Sequence, residues 1–151
     1  MGTHHDGTEE EVRALDAFIK LTRASETLNG RLNAELLRED LTVSQFGTLE
    51  ALFHLGPLCQ KDIAGKLLKS GGNITLVVDN LEKRGLVERR RDGRDRRFVT
   101  VRLTDAGRAL VARVFPAHKA RIVEAMTTLS AQQQRQLAAL CKQLGLFASA
   151  R

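Results

Sequence analysis

Residues 60–102 hold twelve Lys/Arg against six Asp/Glu, while the rest of the 151-residue chain holds twelve of each. The whole net charge of +6 therefore sits in one stretch. A basic block inside a patterned segment, and not in a tail, marks a docking surface for a polyanion. The block also has a definite grammar. A short helix at 60–68 is followed by a turn at 69–72, and a second helix at 73–84 stops at Gly85. Two β-prone runs follow, 86–91 and 98–103, around the loop Asp92-Gly93-Arg94-Asp95-Arg96-Arg97. Helix, turn, helix, hairpin is the order of a winged helix-turn-helix.

Composition narrows what such a chain does. With 42% hydrophobic residues the chain can bury a core without disulfide staples. It has no Trp or Tyr, and six Phe supply its aromatic surface. That argues against single-stranded nucleic acid, which needs stacking platforms. No apolar run approaches the roughly 20 residues of a membrane span. Residues 1–8 lack the apolar core of a signal peptide, so a cytoplasmic protein with no membrane partner is expected. The only cysteines, Cys59 and Cys141, form no CxxC pair, and neither a disulfide framework nor a metal site is expected.

Four segments follow along the chain. Residues 1–8, with His4-His5, read as a disordered end. Residues 9–40 read as helices for dimerisation. Val12, Leu15, Phe18, Ile19 and Leu28 keep helical spacing, and a break is expected near Asn29-Gly30. Residues 41–104 form the winged helix-turn-helix. There Ser44 is expected to cap a helix carrying Phe46, Leu49, Leu52 and Phe53, and Cys59 falls where the next helix wants its cap. Residues 105–151 are C-terminal helices. Thr104 caps the first of them, Pro116 is expected to kink it, and Leu137, Leu140 and Leu144 mark the apolar stripe of the last. The expected fold is mainly α, with a two-stranded wing. The outer stripes exceed what the core can cover, so a two-fold homodimer built from the N- and C-terminal helices is expected.

The helix at 73–84 divides into two faces. Ile74, Val77, Val78 and Leu81 are spaced for the core, and Gly72, Asn73, Thr75, Leu76, Asp79 and Asn80 project outward. Short polar side chains suit a major groove, where Asn and Thr reach base edges. Ser70 and the glycines beside it keep the helix start small, so that a phosphate strand can approach its backbone N–H groups. Lys83 is a candidate phosphate contact. In the wing, Arg94, Arg96 and Arg97 crowd one loop, and arginine is favoured in a narrow minor groove. Asp95 is expected to orient Arg97 through a bidentate pair. A winged helix used as a protein-interaction module is the alternative, and it would not require the wing arginines.

The run Leu81-Glu82-Lys83-Arg84-Gly85-Leu86-Val87-Glu88-Arg89, then Asp95-Arg96-Arg97, then Val101-Arg102-Leu103-Thr104-Asp105-Ala106-Gly107, resembles the MarR family of bacterial transcription regulators. The spacing matches without gaps from about residue 41 to 107. The resemblance implies a homodimeric repressor on a near-palindromic double-stranded operator, released by a small molecule or an oxidant. It makes 73–84 the recognition helix and Arg97 the minor-groove residue, with Asp95 its partner. Many members carry Arg at the positions of Leu76 and Asn80, so this chain is expected to lean more on Asn73, Thr75 and the wing. Gly71-Gly72 with the following Asn-Ile-Thr, and Phe115-Pro116-Ala117-His118, resemble the branch that responds to quinones and catechols. The family's effector pocket lies between dimer helices and DNA-binding core, which makes Phe18, Thr22, Phe46 and His54 candidate contacts for a small aromatic effector.

Cys59, at a helix start, is either a thiol sensor for electrophiles or a structural stand-in for Ser or Thr. Cys141 reads as packing. The histidines at 4, 5, 54 and 118 sit beside no Ser or Cys at motif spacing, and no Gly-rich phosphate loop follows a strand. No catalytic residues and no cofactor are expected.

Overall fold

Thr8 opens the first helix. Its hydroxyl accepts from the Glu11 backbone N–H at 3.3 Å, and the Glu11 carboxylate accepts from the Thr8 N–H at 2.8 Å. This reciprocal pair satisfies two donors left over at a helix start. It also lowers the Glu11 carboxyl below its ordinary value, the Thr8 backbone bond being the largest cause. The computed structural model describes residues 2–67, 71–91, 93, 95 and 97–149. Helix α1 runs Glu9–Leu37 without interruption, so the break expected at Asn29-Gly30 does not occur. Asn29 donates to the Ser25 hydroxyl one turn back, and a glycine costs about 1 kcal/mol inside a helix, which flanking helix formers outweigh. After Leu37 the chain reverses through Asp40 at φ 55, where the Leu41 N–H reaches back to the Leu36 carbonyl.

Helix α2 is Val43–Leu55, and its cap is Thr42 rather than Ser44. Thr42 and Gln45 make the reciprocal pair, at 3.1 and 3.0 Å, that Ser44 has no partner three residues on to make. Gly56 ends it at φ 79. Strand β1, Leu58–Cys59, then precedes α3, Gln60–Leu67. Cys59 is thus the last residue of β1 and stands directly before α3, the position expected of it from sequence. Helix α4 is Gly71–Lys83, strands β2 and β3 are Val87–Arg91 and Val99–Leu103, and α5 and α6 are Asp105–Met126 and Ala131–Ser149.

The expected two-stranded wing is the antiparallel pair β2–β3, and β1 adds a third antiparallel strand, giving the order β1-β3-β2. Leu58 pairs with Val101 and Cys59 with Thr100, which ties the wing root to the start of α3. On the other side Val87 pairs with Leu103 and Arg91 with Val99.

The chain divides into two compact units, Met1–Pro116 and Ala117–Arg151. The first holds the core. Leu41, Leu49, Ile63, Ile74, Val78, Leu81, Val101 and Val111 are fully buried in it. Burial of each such side chain contributes about 1.5–3 kcal/mol. Thr104 joins three parts of this unit. Its N–H donates to Leu86 O, its hydroxyl donates to Gly85 O at 2.6 Å, and the same oxygen accepts from the Gly107 N–H that opens α5. Pro116 lies inside α5. In the second unit, Ser130 and Gln133 cap α6 reciprocally. Leu140, Leu144, Leu146 and Phe147 are exposed along that helix.

Candidate nucleic-acid interface

Helix α4 is built with two faces because its apolar side chains recur every three or four residues. Ile74, Val77, Val78 and Leu81 are all buried. Gly72, Asn73, Thr75 and Lys83 are exposed, Leu76 is 61% exposed, and Asn80 and Asp79 are half-buried. The helix starts at Gly71, two residues before the expected Asn73. A side chain at Gly72 would meet nothing within 4 Å, so open space surrounds that turn. Gly85, at φ 70, stops the chain just beyond α4. There its own N–H reaches Glu82 O and the Leu86 N–H reaches Leu81 O. Of the expected contact residues, Ser70, Arg94 and Arg96 lie outside the described residues.

The wing turn is set by Asp95. One carboxylate oxygen, Oδ1, accepts from the Arg97 backbone N–H at 3.0 Å and faces Arg97 Nε at 3.5 Å. The Phe98 N–H closes the turn on Asp95 O. This is an Asx turn, in which a single oxygen serves both groups, and it replaces the bidentate pair expected from sequence. The Arg97 side chain is left 93% exposed.

Not all of the basic block faces outward. Arg90 and Arg102 both bind the Glu88 carboxylate on the sheet. The Arg102 hydrogen bond is the largest of the causes that hold the Glu88 carboxyl below its ordinary value. Arg84 donates to Asp40 O at 2.6 Å. Arg89 is turned onto Gln60, Asp79 and Glu82. The charge count could not separate these arginines, each bonded within the protein, from those of the wing. The one hint was the seven-residue spacing of Glu82 and Arg89 across the Gly85 turn.

An open cleft of about 430 Å³ lies at the wing root, lined by Cys59, Gln60, Lys61, Arg97, Phe98 and Val99. Cys141 is exposed on α6. No group of three His, Cys, Asp or Glu among the described residues could hold a metal ion.

The four effector candidates lie on two helices, Phe18 and Thr22 on α1 and Phe46 and His54 on α2. Phe46 is 1% exposed and belongs to the core. His54, on the same helix, is exposed and packs edge-on against Phe53 and Phe115 at 5.2 and 4.9 Å between ring centres. On α1, Phe18 is 65% exposed and Thr22 half-buried.

The comparisons with known proteins meet this geometry. The MarR family model matches residues 41–99, from the link before α2 to the start of β3. Over 136 residues the chain is 34% identical to the HTH-type transcriptional regulator MhqR of Bacillus subtilis (strain 168), covering 90% of this chain and 94% of that one. The chain belongs to the MarR family. It is thus a DNA-binding transcriptional regulator with a winged-helix core. S. aureus MepR, solved in complex with DNA, superposes with a TM-score of 0.76 at 25% identity, over 93% of this chain and 98% of that one. Bordetella bronchiseptica BpsR, whose DNA binding is regulated by 6-hydroxynicotinic acid, superposes at 0.70 with 24% identity, over 83% and 98%. Among the described residues, no helix of this MarR-family chain is long and apolar enough to cross a membrane.

Proposed function

We propose that the chain is a homodimeric, sequence-specific repressor that acts in the cytoplasm on a near-palindromic duplex operator. Helix α4 enters the major groove with Asn73, Thr75, Leu76 and Asn80 toward base edges. Gly72, Ser70 and Lys83 sit by the phosphates. The wing, with Asp95 orienting Arg97 and with Arg94 and Arg96 in the same loop, reaches the adjacent minor groove. The observation that carries this reading is the division of α4, whose buried aliphatic face leaves an opposite face that is exposed over its first turns and, Leu76 apart, polar. An interaction module would have no use for an Arg97 held out at the tip of an ordered turn. The exposed apolar residues of α1 and α6, Leu15, Phe18, Leu140 and Leu144 among them, supply the dimer surface.

A small aromatic effector releases the repressor, as 6-hydroxynicotinic acid regulates DNA binding by BpsR. The exposed His54, beside Phe53 and Phe115, is the contact for it that the geometry favours, with Phe18 and Thr22 on α1. Phe46 could take part only by leaving the core. Loss of release by phenolic compounds in His54→Ala, with operator binding kept, is the expected result; full release would remove His54 from the site. A second reading rests on the position of Cys59 in the cleft beside Arg97, where an electrophile would alter the wing root. Cys59→Ser keeps its response if the first reading holds and loses it if the second does. Binding to duplex DNA, titrated against salt, tests the basic proposal. A steep linear fall of log affinity with log salt is expected, and a salt-independent interaction would refute it.

A further inference from the structure

Arg89 lies on β2 with its guanidinium turned onto two helices. Its Nε donates to Gln60 Oε1 at 3.0 Å, Nη2 to Asp79 Oδ1 at 2.6 Å, and Nη1 to Glu82 Oε1 at 3.4 Å. Its backbone N–H also donates to Glu82 Oε2 at 3.0 Å. Gln60, the first residue of α3, in turn donates from Nε2 to Thr75 Oγ1 at 3.1 Å. The chain of bonds thus runs from the wing strand, through the start of the supporting helix, to a groove-facing residue of α4.

The polarity of this chain is fixed. A guanidinium has donors and no acceptor, so the Gln60 atom that faces it must be the carbonyl oxygen. The amide then cannot flip, and its NH₂ must face Thr75. One lone pair of the Thr75 hydroxyl is committed to Gln60, which fixes where that hydroxyl stands on the α4 surface. Arg89 itself is only 23% exposed, so its charge is spent within the protein rather than offered to phosphate. Readout of a base edge needs side chains held to within about 0.5 Å by such supporting bonds.

We propose that Arg89, acting through Gln60, is a positioning residue for sequence readout, and that the wing strand sets the presentation of Thr75 to DNA. This rests on the reading that α4 enters the major groove with Thr75 outward.

The test uses the full chain and a duplex site recovered by the wild type from a random-sequence library. Affinity for that site is divided by affinity for random duplex. Gln60→Glu still accepts from Arg89 but has no N–H for Thr75, so the Thr75 hydroxyl can bond it only by donating, which reverses that bond and turns the hydroxyl; Arg89→Lys keeps the charge but loses the fork. Both, and Thr75→Ala, are expected to lower the ratio about tenfold, as for one base contact. Combining Gln60→Glu with Thr75→Ala is expected to add nothing further. Arg89→Lys is expected to keep its affinity for random duplex and its salt slope. If Thr75→Ala lowers the ratio while Gln60→Glu does not, the positioning role is wrong and the groove reading stands. If Thr75→Ala leaves the ratio unchanged, the groove reading fails and takes the inference with it. An Arg89→Lys protein that weakens on both duplexes alike, with a shallower salt slope, would make Arg89 a phosphate contact instead. Gln60→Glu leaves both Arg89 ion pairs in place, so it decides the matter if Arg89→Lys unfolds.

Discussion

Alanine at Gly107 should destabilise the protein, although alanine is the better helix former. Gly107 lies in the first turn of α5, where it packs against the turn that ends α4. A Cβ built there would sit 2.0 Å from Leu86 O, 3.0 Å from Leu86 C and 3.1 Å from Leu103 Cδ2. The carbonyl cannot retreat, because it accepts the Thr104 N–H at 3.1 Å and the Leu86 N–H is tied to Leu81 O at 3.0 Å. The start of α5 must therefore move by an ångström or so. Overpacking of this kind costs typically about 1–3 kcal/mol. Helix propensity returns about 1 kcal/mol at most; a 2.0 Å approach to a backbone oxygen belongs at the upper end of the overpacking range, so the clash wins and a net loss of up to about 2 kcal/mol is expected. Gly30 is the control. It lies in the middle of α1, and a Cβ there meets nothing within 4 Å. The same substitution at Gly30 should stabilise by about 0.5–1 kcal/mol. Urea unfolding followed by circular dichroism, at one fixed protein concentration, reads both. Gly107→Ala as stable as the wild type would refute the packing argument, whatever Gly30→Ala does.

Other outcomes follow from the same geometry. Arg97→Ala should weaken operator binding by about 1–3 kcal/mol with an unchanged helical spectrum, and wild-type affinity would remove the wing assignment. Lys83→Ala should weaken operator and random duplex alike and lower the salt slope by about one, as measured by titration at several salt concentrations. Leu140→Asp should give monomers or insoluble protein, since it would bury an unpaired charge in the proposed dimer surface; sedimentation of an intact dimer would contradict this. Glu88 has a folded-state pKa below its usual 4.5. Its contribution to stability is thus complete above that value and is lost as the pH falls below it. Glu88→Gln should accordingly flatten the acid side of a stability–pH curve and leave its slope at neutral pH alone.

The parts of the molecule that were legible in the sequence are those governed by local rules. The burial of Ile74, Val77, Val78 and Leu81 follows from helical spacing, the stop at Gly85 from glycine's freedom at positive φ, and the cap at Thr104 from its hydroxyl. Strand β1 was not legible, because two residues have no period and pair only with a strand some forty positions on. Thr42 was legible in principle, since the spacing Thr42-x-x-Gln45 carries the reciprocal cap, but Ser44 drew the assignment by lying nearer the apolar run. Asn29-Gly30 misled because turn chemistry competes with a long helix and here loses. The Arg89 network and the Asx turn at Asp95 depend on distances between elements or within a loop, which composition does not encode. Phe46 was correctly apolar, but spacing alone could not distinguish the core from a pocket wall.

The most direct test of groove readout by α4 is the ratio of operator to random-duplex affinity for wild type and Asn73→Ala at one salt concentration. Asn73 is exposed in the first turns of α4 and has a side chain that can pair with a base edge. Asn73→Ala is expected to lower the ratio about tenfold while binding to random duplex is kept. A ratio equal to that of the wild type would mean that the exposed face of α4 does not read the DNA sequence.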